Sequence, residues 1–166
     1  MNVHRFHSAL CALIVVATSP GLLAQTDPAK EAESFTEALK KGEAKITLRY
    51  RFEDVRQDGF AKDAHASTLR TTVGYTTQPY KGFSLKIEAE NVAEIGNDLY
   101  NNRGAGSDFN GVTDRPVVAD PALTDINQVF LRYQHDKTDL RLGRQEIVQD
   151  DSRFIGNVGW RQHHQS

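Results

Sequence analysis

The basic side chains of this chain recur at alternate positions in short segments. Arg49 and Arg51 share one side of segment 44–53. Arg70 lies in 67–76, Lys86 in 83–92, Arg132 in 126–135 and Arg141 in 139–148. In an extended chain, residues two apart point to the same face, so each segment presents its cations from one side, whereas Arg144 turns to the other. A guanidinium is a planar fork that grips a carboxylate through two parallel hydrogen bonds, which an ammonium cannot do. A wall of such groups attracts anions and focuses their field. The competing use is internal. Glu88 and Glu90 lie on the same side of their segment as Lys86, and cross-strand charge pairs stiffen any sheet. Both uses stay open at this point.

Nothing beside these cations points to bond-making chemistry. The chain holds no G-x-S-x-G, no H-E-x-x-H and no P-loop. Ser67, Ser84, Ser107 and Ser152 have no nucleophile elbow or helix context. His163 and His164 are adjacent, so on a strand they face opposite sides and cannot chelate one ion together. The oxygen-rich run 97–111 (Asn97, Asp98, Asn101, Asn102, Asp108, Asn110) lacks the ordered spacing of a calcium loop. No enzyme activity, metal or cofactor is expected. Cys11 is the only cysteine, and it falls in a segment expected to be removed, which excludes a disulfide or a thiolate metal site. Lys and Arg number 20 against 22 Asp and Glu, a net charge of −2, so bulk charge points to neither nucleic-acid nor membrane-surface binding.

The segments that must position the cations alternate apolar and polar with period two. Ile46, Leu48, Tyr50 and Phe52 oppose Lys45, Thr47, Arg49 and Arg51. Leu69, Val73 and Tyr75 oppose Arg70, Thr72 and Gly74. Phe83, Leu85, Ile87 and Ala89 oppose Ser84, Lys86, Glu88 and Glu90. Val129, Leu131 and Tyr133 oppose Gln128, Phe130, Arg132 and Gln134, and Leu140 and Leu142 oppose Arg141 and Gly143. Each segment has the roughly 9–11 residues of a tilted transmembrane strand. The gaps run long, short, long, short (54–66, 77–82, 93–125, 136–138), as when short turns lie on one side of a membrane and long loops on the other. Tyr75, Tyr80, Phe83 and Tyr133 cluster at the short-turn end and Phe52 lies toward the other, as in an interfacial aromatic girdle. The run 96–125, rich in Gly, Asn and Asp, suits an outer loop. A soluble half-buried sheet shows the same alternation with its apolar side inward, so alternation alone leaves the facing open.

At the N-terminus, His4 and Arg5, the apolar run 8–17 and the break at Pro20-Gly21 before Ala24 read as a signal peptide over 1–24. Residues 25–42 read as a periplasmic leader with a short amphipathic helix between Pro28 and Gly42, bearing Phe35, Ala38 and Leu39 on one face. The expected fold over 43–166 is all-β, an antiparallel up-and-down transmembrane β-barrel. About five or six strands cannot close a barrel that needs at least eight. The chain is therefore expected to be an incomplete N-terminal piece.

Two stretches carry a family resemblance. The first is Ser34-Phe35-Thr36-Glu37-Ala38-Leu39 followed by Leu48-Arg49-Tyr50-Arg51-Phe52-Glu53. The second is Leu142-Gly143-Arg144-Gln145-Glu146-Ile147 followed by Arg153-Phe154-Ile155-Gly156-Asn157-Val158-Gly159-Trp160-Arg161-Gln162. Both resemble the opening part of the bacterial alginate-export family of outer-membrane proteins, the second more specifically. The resemblance implies a large monomeric barrel with a charged lumen that serves as a passive pore. In the type member the cargo is the polyuronate alginate, and by position Arg49, Arg51, Arg70 and Arg132 stand as lumen residues. The expected function is passive diffusion of an anionic polysaccharide or small anionic solute across the Gram-negative outer membrane. The expected partners are outer-membrane lipid and the barrel-assembly machinery. The alternatives are a secreted soluble all-β binding module and a non-functional remnant of a porin.

Overall fold

A computed structural model describes residues 31–96, 99–103, 109–147 and 161–162, and the backbone of 6–17. Its elements are β1 (Phe6–Ala17), α1 (Phe35–Lys40), β2 (Glu43–Gln57), β3 (Ala64–Thr76), β4 (Phe83–Glu94), β5 (Leu123–His135) and β6 (Thr138–Arg144). The strands form one antiparallel sheet in the order β1-β2-β3-β4-β5-β6. Each strand pairs with its neighbour in sequence, so the sheet is an open up-and-down meander. The five alternating segments are β2 to β6.

Three boundaries differ from the sequence reading. First, β2 and β3 run on past the expected strand ends, so their connection 58–63 is no longer than 77–82. Only 95–122 remains a long loop. Second, the apolar run 8–17 lies within β1, whose register on β2 runs from Phe6↔Gln57 to Ala17↔Ile46. A bare β2 edge would leave a row of unpaired N–H and C=O groups, and the Ile14-Val15-Val16 run has the β-branched side chains that suit a strand. Third, the short helix expected between Pro28 and Gly42 occupies only Phe35–Lys40 of that stretch. Ser34 caps it: its Oγ accepts from the Glu37 amide at 3.2 Å, and the Glu37 carboxylate accepts from the Glu33 amide at 2.7 Å. That is a variant of the reciprocal capping pattern. Gly42 is required where α1 leaves for β2, because a Cβ there would overlap the Tyr75 hydroxyl and the Thr76 carbonyl.

Both tight turns hold two residues at their tips. Lys81 (φ 51°) and Gly82 (φ 79°) join Tyr80 to Phe83, the left-handed geometry that matches strand twist in a hairpin. A Cβ on Gly82 would come within 2.5 Å of the Gln134 carbonyl. Asp136 (φ 49°) serves the β5–β6 turn in the same way.

Burial runs opposite to that of a soluble sheet. Val73, Ile87, Ile126, Leu131, Leu140 and Leu142 are exposed on one face, the last at 79%. Arg49, Arg51, Glu53, Thr68, Arg70, Thr72 and Glu90 are buried on the other. At Asn127 a bulge puts one extra residue into β5, between the pairs Glu88↔Gln128 and Ala89↔Ile126. The long loop covers part of the polar face. Tyr100 and Val118 close over Val55, Ala64 and Ala66. Two small alanines leave room for the ring, and the Tyr100 hydroxyl donates to Glu94 Oε1 (2.6 Å) or the Asp120 carbonyl (2.8 Å). The expected signal cleavage site at Ala24, the oxygens of Asn97, Asp98 and Asp108, and His163 and His164 lie outside the described residues.

Two fates of β1 are separable. Removal of 1–24 on export leaves β2 as the edge strand. Amino-terminal sequencing of protein taken from membranes is expected to begin at Gln25. A chain that begins at Met1 would make β1 a resident strand.

Candidate functional site

The polar face divides into a closed end and an open end. At the closed end, near the long loop, Arg51 is 1% exposed and its guanidinium bridges the carboxylates of Glu53 and Asp120. Arg161 extends the network, 3.6 Å from Glu53 and 3.8 Å from Asp120. Gln162 is fully buried. Its amide donates to Asp120 Oδ1 (3.1 Å), and its side-chain nitrogen reaches Thr68 Oγ1 (2.9 Å) and the Thr68 carbonyl (3.1 Å). One loop aspartate and one dipeptide therefore pin the polar side chains of β2 and β3.

Between the two ends, Arg49 sits directly opposite Arg70 on adjacent strands. Like charges placed opposite one another destabilise a sheet. Here the chain offsets part of that repulsion with backbone oxygens: Arg49 Nη1 donates to the Arg161 carbonyl and Arg70 Nη1 to the Gln162 carbonyl, each at 3.0 Å. Glu90 lies 3.9 Å from Arg70. A second like-charge pair, Arg132 opposite Arg141, is bridged by Asp139. Asp139 accepts a two-pronged bond from Arg132 at 3.0 and 2.6 Å and lies 3.6 Å from Arg141.

At the open end, toward the short turns, a cavity of about 360 Å³ is lined by Lys45, Lys86, Phe130, Arg132 and Arg141, with Glu43 and Glu88. A second cavity of about 310 Å³ shares Lys45, Lys86 and Glu88 and runs on to Arg70. Gly74, between Lys45 and Glu88 in the ladder, adds no side chain to the lining of the first cavity. Lys86 Nζ lies 3.2 Å from Glu88, and the Glu88 carboxylate also accepts from Asn127 (2.8 Å) and Gln128 (3.0 Å). Lys45 has no ion-pair partner among the described residues.

All six sequence-selected cations fall on this one face, but not in one environment. Arg51 is closed off, Arg49 and Arg70 are largely buried, and Lys86, Arg132 and Arg141 line open space. Arg144 lies opposite Val129 of the apolar face, as strict alternation requires, and pairs with Asp125 at 2.8 Å. Sequence reasoning did not single out Asp120, Arg161, Gln162 or Lys45 as functional. Lys45 had the period-two signal. Asp120 sits in aperiodic loop sequence, and only the closing residues of the second family-like stretch hinted at Arg161 and Gln162. Outside the strands, Lys62 lies 2.7 Å from Asp114 and ties two loops. Its hydrogen bond holds the Asp114 carboxyl below the ordinary carboxylate range. With the folded value lowered, this tether is present above the ordinary carboxylate pKa and is lost as pH falls through the lowered one.

Antiparallel strands in up-and-down order, apolar on one face and charged on the other, fit an incomplete piece of a β-barrel wall. Residues 41–166 match the model of the family described as "Alginate export". The chain belongs to that family, whose members are outer-membrane transport proteins. A transport family fits a chain from which no enzymatic step is expected. Neither the curated proteins nor the solved structures yielded a match.

Removing one member of a buried ion pair strands the other. Asp120→Ala is expected to lower unfolding free energy by about 3–5 kcal/mol, read from urea unfolding in lipid vesicles. The double change Arg51→Met, Asp120→Leu, which removes both charges, is expected to cost less. An Asp120→Ala loss no larger than that of an exposed pair would show that the network carries little.

Proposed function

We propose that this chain builds part of the wall of an outer-membrane pore through which an anionic solute, a polyuronate or an organic acid, diffuses down its gradient. The observation that carries the reading is the inverted burial: apolar side chains exposed on one face, and cations around open space on the other. A secreted soluble module would leave that apolar face in water, where contiguous patches of this kind mark an interaction surface. Family membership supports the outer-membrane setting.

The two ends of the polar face divide the labour. Arg51, held between two carboxylates, is a structural brace. Lys45, Lys86, Arg132 and Arg141 line the space a solute would cross, and the bidentate geometry of arginine suits carboxylates. The repulsion between Arg132 and Arg141 raises the local potential that an anion relieves. Asp139 keeps that attraction moderate, and a pore must bind weakly enough to release. No bond is made or broken and no cofactor takes part.

In this reading the short turns face the periplasm with the leader 25–42, and residues 1–24 direct export. The barrel-assembly machinery inserts the strands. Further strands, paired to the free edges of β2 and β6, close a monomeric barrel, because open edges in hydrocarbon cost several kcal/mol per unpaired group.

The test is the reversal potential across planar bilayers that hold the closed barrel these strands help to build, under a potassium chloride gradient. Chloride is expected to pass faster than potassium. The Arg132→Gln, Arg141→Gln variant is expected to move the reversal potential toward cation preference. Cation selectivity in the unaltered protein would overturn the reading.

A further inference from the structure

Helix α1 does not hang free below the sheet. The Gln78 amide donates to the Ala38 carbonyl at 3.1 Å, the Ala32 amide to the Pro79 carbonyl at 2.8 Å, and the Gly82 amide to Glu31 Oε1 at 2.9 Å. The Tyr75 hydroxyl donates to the Leu39 carbonyl. Tyr75 belongs to the apolar face of β3, so these ties hold α1 at the short-turn rim on the apolar side of the sheet.

Only Ala38 of the helix is buried. Phe35 is 65% and Leu39 43% exposed, and neither turns inward. Between them and the strand ends runs a narrow groove of about 100 Å³, lined by Leu39, Tyr80, Phe83, Leu85 and Leu131. Phe83, Leu85 and Leu131 are apolar-face positions of β4 and β5, so the groove is continuous with the exposed apolar band of the sheet. Lys40 and Lys81 stand exposed beside it. Lys81 Nζ lies 5.3 Å from the centre of the Tyr80 ring. Apolar side chains at the level where a transmembrane band ends, next to ammonium groups, are the pattern of an interfacial anchor.

We propose that α1 is a membrane-seated anchor: Phe35 and Leu39, with the groove they border, rest in the acyl-chain boundary of the inner leaflet, and Lys40 and Lys81 lie at the phosphates of anionic phospholipid. The leader helix is then part of the lipid contact of the barrel, and not a solvated periplasmic spacer. The occupant of the groove is a phospholipid acyl chain, because the surface on either side of it is the band read as lipid-facing. The proposal rests on that reading of the band.

The test places tryptophan in the closed barrel these strands help to build, by Phe35→Trp and separately by Leu39→Trp. Both positions are exposed, so neither change opens a cavity. Emission is measured in vesicles of phosphatidylcholine and phosphatidylglycerol, with the phosphatidylcholine either unlabelled or dibrominated near the carbonyl end of its chains. The signal is taken as the difference from the unaltered barrel, whose own tryptophans, Trp160 among them, set the baseline. Ile87→Trp, on the apolar face of β4, is the control. The expected result, for Phe35→Trp and for Leu39→Trp, is a blue-shifted emission that is lost to the brominated lipid and resists iodide. If both variants emit as in water and iodide quenches them while Ile87→Trp is quenched by bromine, the anchor is overturned and the lipid-facing band stands. Loss of bromine quenching at Ile87→Trp as well would overturn both.

Discussion

A guanidinium withdrawn from water needs carboxylates to replace the water it loses, and the rest of this structure follows from how Arg51 meets that need. One carboxylate, Glu53, comes from its own strand two residues on. The other, Asp120, must be brought from the long loop. Bringing it there folds the loop across the polar face, seats Tyr100 over Ala64 and Ala66, and positions Asp120 to accept from the Gln162 amide. The described residues are held at the closed end by charge and hydrogen bonds around a polar interior, with only a small apolar cluster at the loop. That arrangement suits a sheet whose apolar side chains are committed to its other face.

The same economy separates two regimes of charge on the polar face. Where the loop reaches, arginines are satisfied and closed. Beyond its reach, at the short-turn end, the cations face cavities that Glu43, Glu88 and Glu146 also line, with Asp139 between Arg132 and Arg141. A face that was uniformly ion-paired would be a rigid wall with no field. One that was uniformly unpaired would carry the repulsion of Arg49 on Arg70 and of Arg132 on Arg141 with nothing to offset it. The protein has both regimes on one sheet, and the boundary between them runs along Arg70, which is tied to the Gln162 carbonyl yet borders the second cavity.

Much of this was legible in the sequence because period-two alternation is a local property. Strands β2 to β6, the face of every selected cation and the places of both tight turns follow from it. What was not legible depends on partners remote in sequence. The inward fold of the long loop rests on Asp120 meeting Arg51, sixty-nine residues apart, and no periodicity announces such a meeting. The extra length of β2 and β3 comes from Val55, Ala64 and Ala66 finding cover under Tyr100 and Val118, which residues that looked like loop could not reveal. The pairing of β1 with β2 supplies an edge partner for a strand that otherwise has none, a demand of the sheet and not of residues 6–17 alone. The short helix lies within the stretch expected for it, and the Ser34 cap sets its start.

The account turns on which face meets lipid. The most direct measurement is nitroxide accessibility in lipid vesicles, with labels at Val73 and Leu131 on the apolar face and at Thr47 and Ser84 on the polar face, all away from the paired charges. Labels at the first pair are expected to collide with oxygen dissolved in the bilayer, and those at the second with a water-soluble nickel chelate. The reverse pattern, or water access at all four, would contradict the account.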